Sequence, residues 1–307
     1  MALHRLTSVT IGVPDPATAA VYYADFGLVP TAGGRFATAD GGEQLTLVAA
    51  PRRGLLELGV GADDPDDVAR IARAFQALGV PAERTPTSVT AVDPGTQVRV
   101  VVAVAPRLVQ AACSAATPNV PGHASRVNGR APALGREAAV RPRKLGHVVL
   151  GSVDVEGSER FFIDGIGFKV SDTVRDLASF LRCSTDHHNL LVQRAPVPLL
   201  HHTSWQVEDV DEIGRGASAM LAADPGRHVW GLGRHHIGSN FFWYLKDPAG
   251  NFTEYYADLD CIIEDELWKP GVWEGLKGLY SWGPPVPASF LMPDDLAELI
   301  AARHGAG

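Results

Sequence analysis

Cysteine is scarce in this 307-residue chain: Cys113, Cys183 and Cys261 lie far apart, with no CxxC or ladder spacing. That pattern excludes a disulfide scaffold and a thiolate metal site, and it fits a reducing compartment. Positive charge is also short. Lys and Arg number 27 against 35 Asp and Glu, a net charge of -8, which argues against a general nucleic-acid binder. No segment approaches about 18 consecutive apolar residues, so no membrane span is expected. The opening "MALHRLTSVTIGVPDP" has no apolar signal-peptide core, and a cytoplasmic location is expected. With 46% hydrophobic residues the chain is long enough for two ordinary domains.

What the chain does have is a weak internal duplication. "LTSVTIGVPDPATAAVYYADFGLVP", from Leu6, parallels "LGHVVLGSVDVEGSERFFIDGIGFKV", from Leu145. Each reads as a strand, an aspartate-bearing turn, a helix with an aromatic pair and a new strand. "LLELGVGADDPDDVARIARAFQALGV" then parallels "LHHTSWQVEDVDEIGRGASAMLAA", where an acidic turn caps a helix. "VDPGTQVRVVVA" parallels "KDPAGNFTEYYA", an Asp-Pro turn between two strands. The order β-α-β-β-β, twice in each copy, predicts an α+β fold with largely antiparallel pairing. The expected division is 1–105, a first domain; 106–142, an Ala/Pro/Gly/Arg-rich linker; 143–262, a second domain; and 263–307, an aromatic tail. The tail, with Trp268, Trp273 and Trp282, is expected to cover the mouth of the second domain or to form a subunit contact. The linker's arginines have no interleaved aromatics for base stacking and read as solvated.

Eight of the eleven histidines fall in the second copy: His147, His187, His188, His201, His202, His228, His235 and His236. A lone histidine is more often a hydrogen-bonded core or surface residue than a ligand, and within the doublets His187, His236 and mostly His201 are expected to be surface residues. Doublets concentrated in one copy are harder to dismiss. Aligning the copies puts Ser8 opposite His147, Glu57 opposite His202 and Val100 opposite Glu254. Two imidazoles and a carboxylate from three strands, in the second copy alone, suit a facial Fe(II) or Mn(II) site with open positions.

At these residues the chain resembles the two-domain type I extradiol ring-cleavage dioxygenases of the vicinal oxygen chelate (glyoxalase/bleomycin-resistance/dioxygenase) superfamily. The motifs are "LGHVVL", "FLRCSTDHHNLLV", "LLHHTSWQVEDVDEI" and "GLGRHHIGSNFFWYLKDPAGNFTEYY". The resemblance implies tandem βαβββ modules and a metal-free first domain. It implies Fe(II), with Mn(II) serving as well, on His147, His202 and Glu254. It assigns acid-base work to His188, with His187 the competing choice, expected in a strand to point to the opposite face, and hydrogen bonding of substrate or oxygen species to His235 and Tyr244. The implied partners are a catechol and dioxygen, with no nucleic acid or membrane, in a homo-oligomer. Trp230, where a basic residue would suit an acidic catechol, points to an uncharged, hydrophobic substrate and is expected to touch it, unless Arg182 faces the pocket. Readings kept beside this one are a 4-hydroxyphenylpyruvate-type dioxygenase, a glyoxalase-like isomerase and a non-catalytic small-molecule binding protein of the same fold.

Overall fold

The computed structural model describes residues 3–113 and 117–304. Two mixed sheets carry it. The first contains β1 (Leu3–Val13), β2 (Val29–Pro30), β3 (Arg35–Thr38), β4 (Gly42–Ala49), β5 (Gly54–Ala62), β6 (Ala82–Arg84), β7 (Ser88–Val92) and β8 (Arg99–Val104), in the order 2-3-4-1-5-8-7-6. The second contains β9 (Lys144–Ser152), β10 (Lys169–Val174), β11 (Ala178–Arg182), β12 (Leu190–Arg194), β13 (Leu199–Gln206), β14 (His228–Arg234), β15 (Phe241–Lys246) and β16 (Phe252–Ala257). Its order, 14-15-16-13-9-12-11-10, is the same sequence of equivalent strands, so the duplication is one of topology as well as of motif. Each sheet is two βαβββ units joined through an antiparallel pair, β1 with β5 and β9 with β13. The α+β class and the tandem βαβββ organisation hold.

The helices form where the sequence supplies caps. Helix α1 (Pro16–Asp25) starts on Asp15, whose carboxylate accepts from the Ala17 and Thr18 amides. Asp64 caps α2 (Pro65–Leu78) in the same way. Asp154 caps α3 (Val155–Glu159), which widens into a π-type turn through Ile166. Asp209 caps α4 (Val210–Ala223). Among the described residues no helix is long and apolar enough to cross a membrane.

The two modules share one core. Phe26 of α1 stacks on Tyr255 of β16 at 3.9 Å, and the Tyr255 hydroxyl donates to the Phe26 carbonyl. Phe75 of α2 packs on Phe161 at 4.9 Å. The Asp-Pro turns are gripped reciprocally: Tyr23 donates to Asp247, and Ser158 donates to Asp93. The 106–142 segment is mostly exposed. Its Arg136 pairs with Asp209, while Arg143, just past it, bridges Asp40 and Glu208.

Part of the segment from 263 to 304 packs on the second sheet. A short strand, β17 (Val272–Trp273), extends it beside β10. Trp282 bridges to Arg234, and helix α5 (Ala288–Leu291) places the buried Phe290 against Trp230, Tyr244 and His201. A final helix, α6, spans Leu296–His304. Asp295, just before it, forms a two-pronged ion pair with Arg53 of the first module.

Candidate metal centre

The three central strands of the second sheet each contribute one residue to a single point. His147 lies on β9, His202 on β13 and Glu254 on β16, and all three are buried. Register brings them together: Ser204 pairs with His147 on one side and with Glu254 on the other. A bulge between Leu200 and His202 sets the β13 side chain. Gly146 explains the glycine before His147, because a Cβ there would meet the Tyr256 hydroxyl at 2.0 Å. His147 Nε2 lies 3.1 Å from Glu254 Oε2, and His202 Nε2 lies 3.6 Å from it and 3.4 Å from His147 Nε2. Strand β13 is buried on both faces: Thr203 and Trp205 belong to the packed side, and His202 faces this cluster.

The donor set fits a divalent ion. Glu254 Oε2 is buried and makes no hydrogen bond, so it stands as an orphan acceptor aimed between two imidazoles. Its other oxygen accepts from Asn240 at 3.2 Å. Burial opposes the charge on Glu254, but the neighbouring imidazoles, His147 foremost, outweigh it and hold the carboxyl well below its usual range. Burial pushes His202 well below the ordinary histidine value, and His201 beside it adds to the effect, so His202 is neutral and ligand-competent at pH 7.

Around this point lies a cavity of about 360 Å³, lined by His188, His235, Tyr244 and the apolar side chains Val149, Phe180, Leu191 and Ile237, among others. His188 is buried, its ring 4.2 Å from that of His147. Burial and then the neighbouring imidazoles His147 and His187 push it well below the usual value. Tyr244 hydroxyl and His235 Nε2 are 2.8 Å apart, and His235 Nδ1 donates to the Leu279 carbonyl at 2.5 Å. The proton on Nδ1 leaves Nε2 as the acceptor, so the tyrosine donates.

Several expectations need correction. Trp230 is not among the residues lining the cavity. It is buried behind Tyr244, stacked on that ring at 5.8 Å, with its Nε1 donating to the Pro284 carbonyl. Arg182 points away as well, donating to the Val170 carbonyl, Ser171 and Asp265. His187 and His201 are not surface residues; both are buried. Nor do His187 and His188 alternate across a strand, because they lie in the connection between β11 and β12. Val100 is displaced by one residue. Phe252 pairs with His202 as Arg99 pairs with Glu57, so Val101 is the counterpart of Glu254 and Val100 faces the core. In the first module Glu57 pairs with Arg99 instead of facing a metal. Asn240, Asp172 and the tail carbonyls escaped the sequence reading. Asn240 had a signal, its place in the hairpin between His235 and Tyr244; the carbonyls had none.

With this geometry in view, comparison with known proteins is direct. The Glyoxalase/Bleomycin resistance protein/Dioxygenase superfamily profile matches residues 144–255. That match covers nearly all of the second module. This chain is 40% identical over 154 residues to metapyrocatechase 2 of Cupriavidus necator, covering 50% of this chain and 48% of that one. It is 30% identical over 139 residues to an iron-dependent extradiol dioxygenase of Rhodococcus jostii, covering 40% and 46%. The matched region thus spans about half the length of these relatives. Among solved structures, it is similar to the Mn(II)-bound glyoxalase of Novosphingobium aromaticivorans, with 26% identity, a TM-score of 0.71 and coverage of 93% of this chain and 94% of that one. The likeness in fold to that structure therefore extends over both modules.

Proposed function

We propose that the protein is a non-haem extradiol dioxygenase that opens the ring of an uncharged, hydrophobically substituted catechol beside its vicinal diol. The observation that carries this reading is the buried His147–His202–Glu254 group with His188 beside it in an apolar cavity. Those three residues would hold Fe(II), or Mn(II) in its place, which would supply the redox link between the diol and dioxygen. Two neutral imidazoles and one carboxylate leave a divalent ion net positive, which suits an anionic diol.

His188 takes the proton from a catechol hydroxyl. Its Nδ1 is occupied, 3.1 Å from His187 Nδ1, while His187 Nε2 donates to Asp172 at 3.2 Å. His187 therefore accepts at Nδ1, His188 donates there, and His188 Nε2 keeps a lone pair. A proton held at that nitrogen against burial is readily returned, so the one residue serves as base and then as acid. Tyr244 turns its proton towards His235, and its oxygen can accept from a substrate hydroxyl. Val149, Phe180, Leu191 and Ile237 hold the ring substituent and exclude water. Arg182 is committed elsewhere, and Arg194, which does line the cavity, is paired with Glu156, which supports an uncharged substituent.

The similarity to a glyoxalase favours a second reading, isomerisation without dioxygen. Oxygen uptake separates them. With anaerobically prepared Fe(II) protein and a catechol panel, stoichiometric oxygen uptake and a yellow hydroxymuconic semialdehyde or ketone are expected. No uptake at full metal loading, or a colourless dicarboxylic muconate, overturns the proposal. Three free thiols support a reducing compartment, and we place the enzyme in the cytoplasm.

A further inference from the structure

Two of the three histidine doublets, 187–188 and 201–202, are built alike. In each, the first imidazole uses Nε2 to reach a fixed acceptor and lays its Nδ1 against the Nδ1 of the second. His201 Nε2 lies 2.7 Å from the Phe290 carbonyl, and His201 Nδ1 lies 2.8 Å from His202 Nδ1. His187 makes the same contacts with Asp172 and His188. One doublet lies on a strand and the other in a loop connection, so local backbone geometry does not force the likeness.

A carbonyl oxygen can only accept. The proton of His201 therefore sits on Nε2, and its Nδ1 carries a lone pair. His202 must donate from Nδ1, which leaves its Nε2 bare, facing His147 and Glu254. The opposite tautomer of His201 would drive the proton onto His202 Nε2 and block ligation. We propose that His201 is a positioning residue: it takes its tautomer from the Phe290 carbonyl in the C-terminal tail and imposes the metal-binding tautomer on His202.

The surroundings keep the relay rigid. His201 is wedged edge-on between Phe252 and Phe290, with ring centroids 5.5 and 4.7 Å away. Arg53 grips both ends of the contact. It donates to the carbonyl of Leu200, next to His201, and pairs with Asp295, five residues beyond Phe290. The first module thereby fixes the distance between β13 and the tail. This role rests on the metal reading above, but concerns residues that do not touch the ion.

The test measures metal affinity. Mn(II) binding is titrated by chelator competition for wild type, His201→Phe and His201→Asn. Phenylalanine keeps the ring and loses the acceptor; asparagine keeps an acceptor near the Nδ1 position. His201→Phe should lose about 10–100-fold in affinity, the usual effect of removing a partner behind a ligating histidine. His201→Asn should stay within a few fold of wild type. Wild-type affinity in His201→Phe, or an equal loss in both variants, overturns the relay. Should His201→Phe not fold, the wild-type protein decides the question. Nitrogen-15 NMR of the Zn(II)-loaded form, a diamagnetic stand-in, should show His201 protonated at Nε2 and His202 at Nδ1, and protonation of His201 at Nδ1 refutes the idea. Failure of wild type to bind any of these ions would instead strike the metal reading itself.

Discussion

Replacing Glu254 with glutamine isolates the metal from the fold. The amide occupies the same space and can satisfy the same neighbours. Its oxygen accepts from Asn240, where Glu254 does so at 3.2 Å, and its NH₂ takes the place of Oε2, 3.1 Å from His147 Nε2. The apo variant should therefore fold, with a melting temperature within a few degrees of apo wild type. What it loses is the anionic ligand. A ligand present at 100 times its Kd stabilises the native state by about 2.7 kcal/mol. At roughly 2–4 °C per kcal/mol for chains somewhat shorter than this one, Mn(II) should raise the wild-type melting temperature by about 5 °C or slightly more. Glu254→Gln should show almost none of that rise. Anaerobic calorimetry with and without Mn(II) measures both shifts, and each protein serves as its own baseline. A variant that gains as much as wild type would refute the ligand assignment, whatever its activity.

Further outcomes follow from the same site. His188→Asn should retain metal and bind catechol yet lose turnover by about 10²–10⁴-fold, measured by oxygen uptake. Burial holds His201 down to about 4, so below pH 7 the unfolded chain takes up a proton that the folded chain refuses. Apo stability should fall as pH drops from about 7 to 4 and level off below, with about 3 kcal/mol from this residue. Urea melts should find that part missing in His201→Asn. Asp295→Asn should weaken Mn(II) binding by less than His201→Phe does, because Arg53 keeps its bond to Leu200. Leu191→Ala should shift preference towards bulkier catechol substituents at a cost of about 2–5 kcal/mol in stability, read as ratios of kcat/KM and by melts.

The proposed ligands were legible because each sits in a motif with a duplicated counterpart that lacks it. Strand alternation placed His202 correctly, since β13 is regular between its bulges. Glu254 was found, but its partner was misplaced by one residue, and in a strand that turns the side chain to the opposite face. Val100 is core; Val101 is the true counterpart. Trp230 failed for a different reason. Reading a residue type as a pocket wall ignores what packs behind the wall, and here the tail supplies Pro284 and Phe290 to bury it. His187 and His201 were discounted because a histidine's usefulness depends on its acceptor. Those acceptors, Asp172 and the Phe290 carbonyl, lie 15 and 89 residues away in the chain. Backbone carbonyls carry no signature in sequence.

Among the described residues the first module holds no comparable ligand set, yet it is not an idle copy. Strand β16 presents Glu254 and Tyr256 towards the site, while Thr253 and Tyr255 face the other way. Those two residues meet helix α1 of the first module, where Tyr22 hydroxyl lies 2.5 Å from Thr253 and Phe26 stacks on Tyr255. The strand carrying the only carboxylate among the proposed ligands is therefore braced from behind by the other half of the duplication. Arg53 reaches from the same module to β13 and the tail, and so acts on the strand carrying His202. The module without the ligand set thus serves as a rigid support whose packing surfaces match the site. A metal centre demands placement within fractions of an ångström, and side chains on a sheet fixed from both faces meet that demand better than those on one open to solvent.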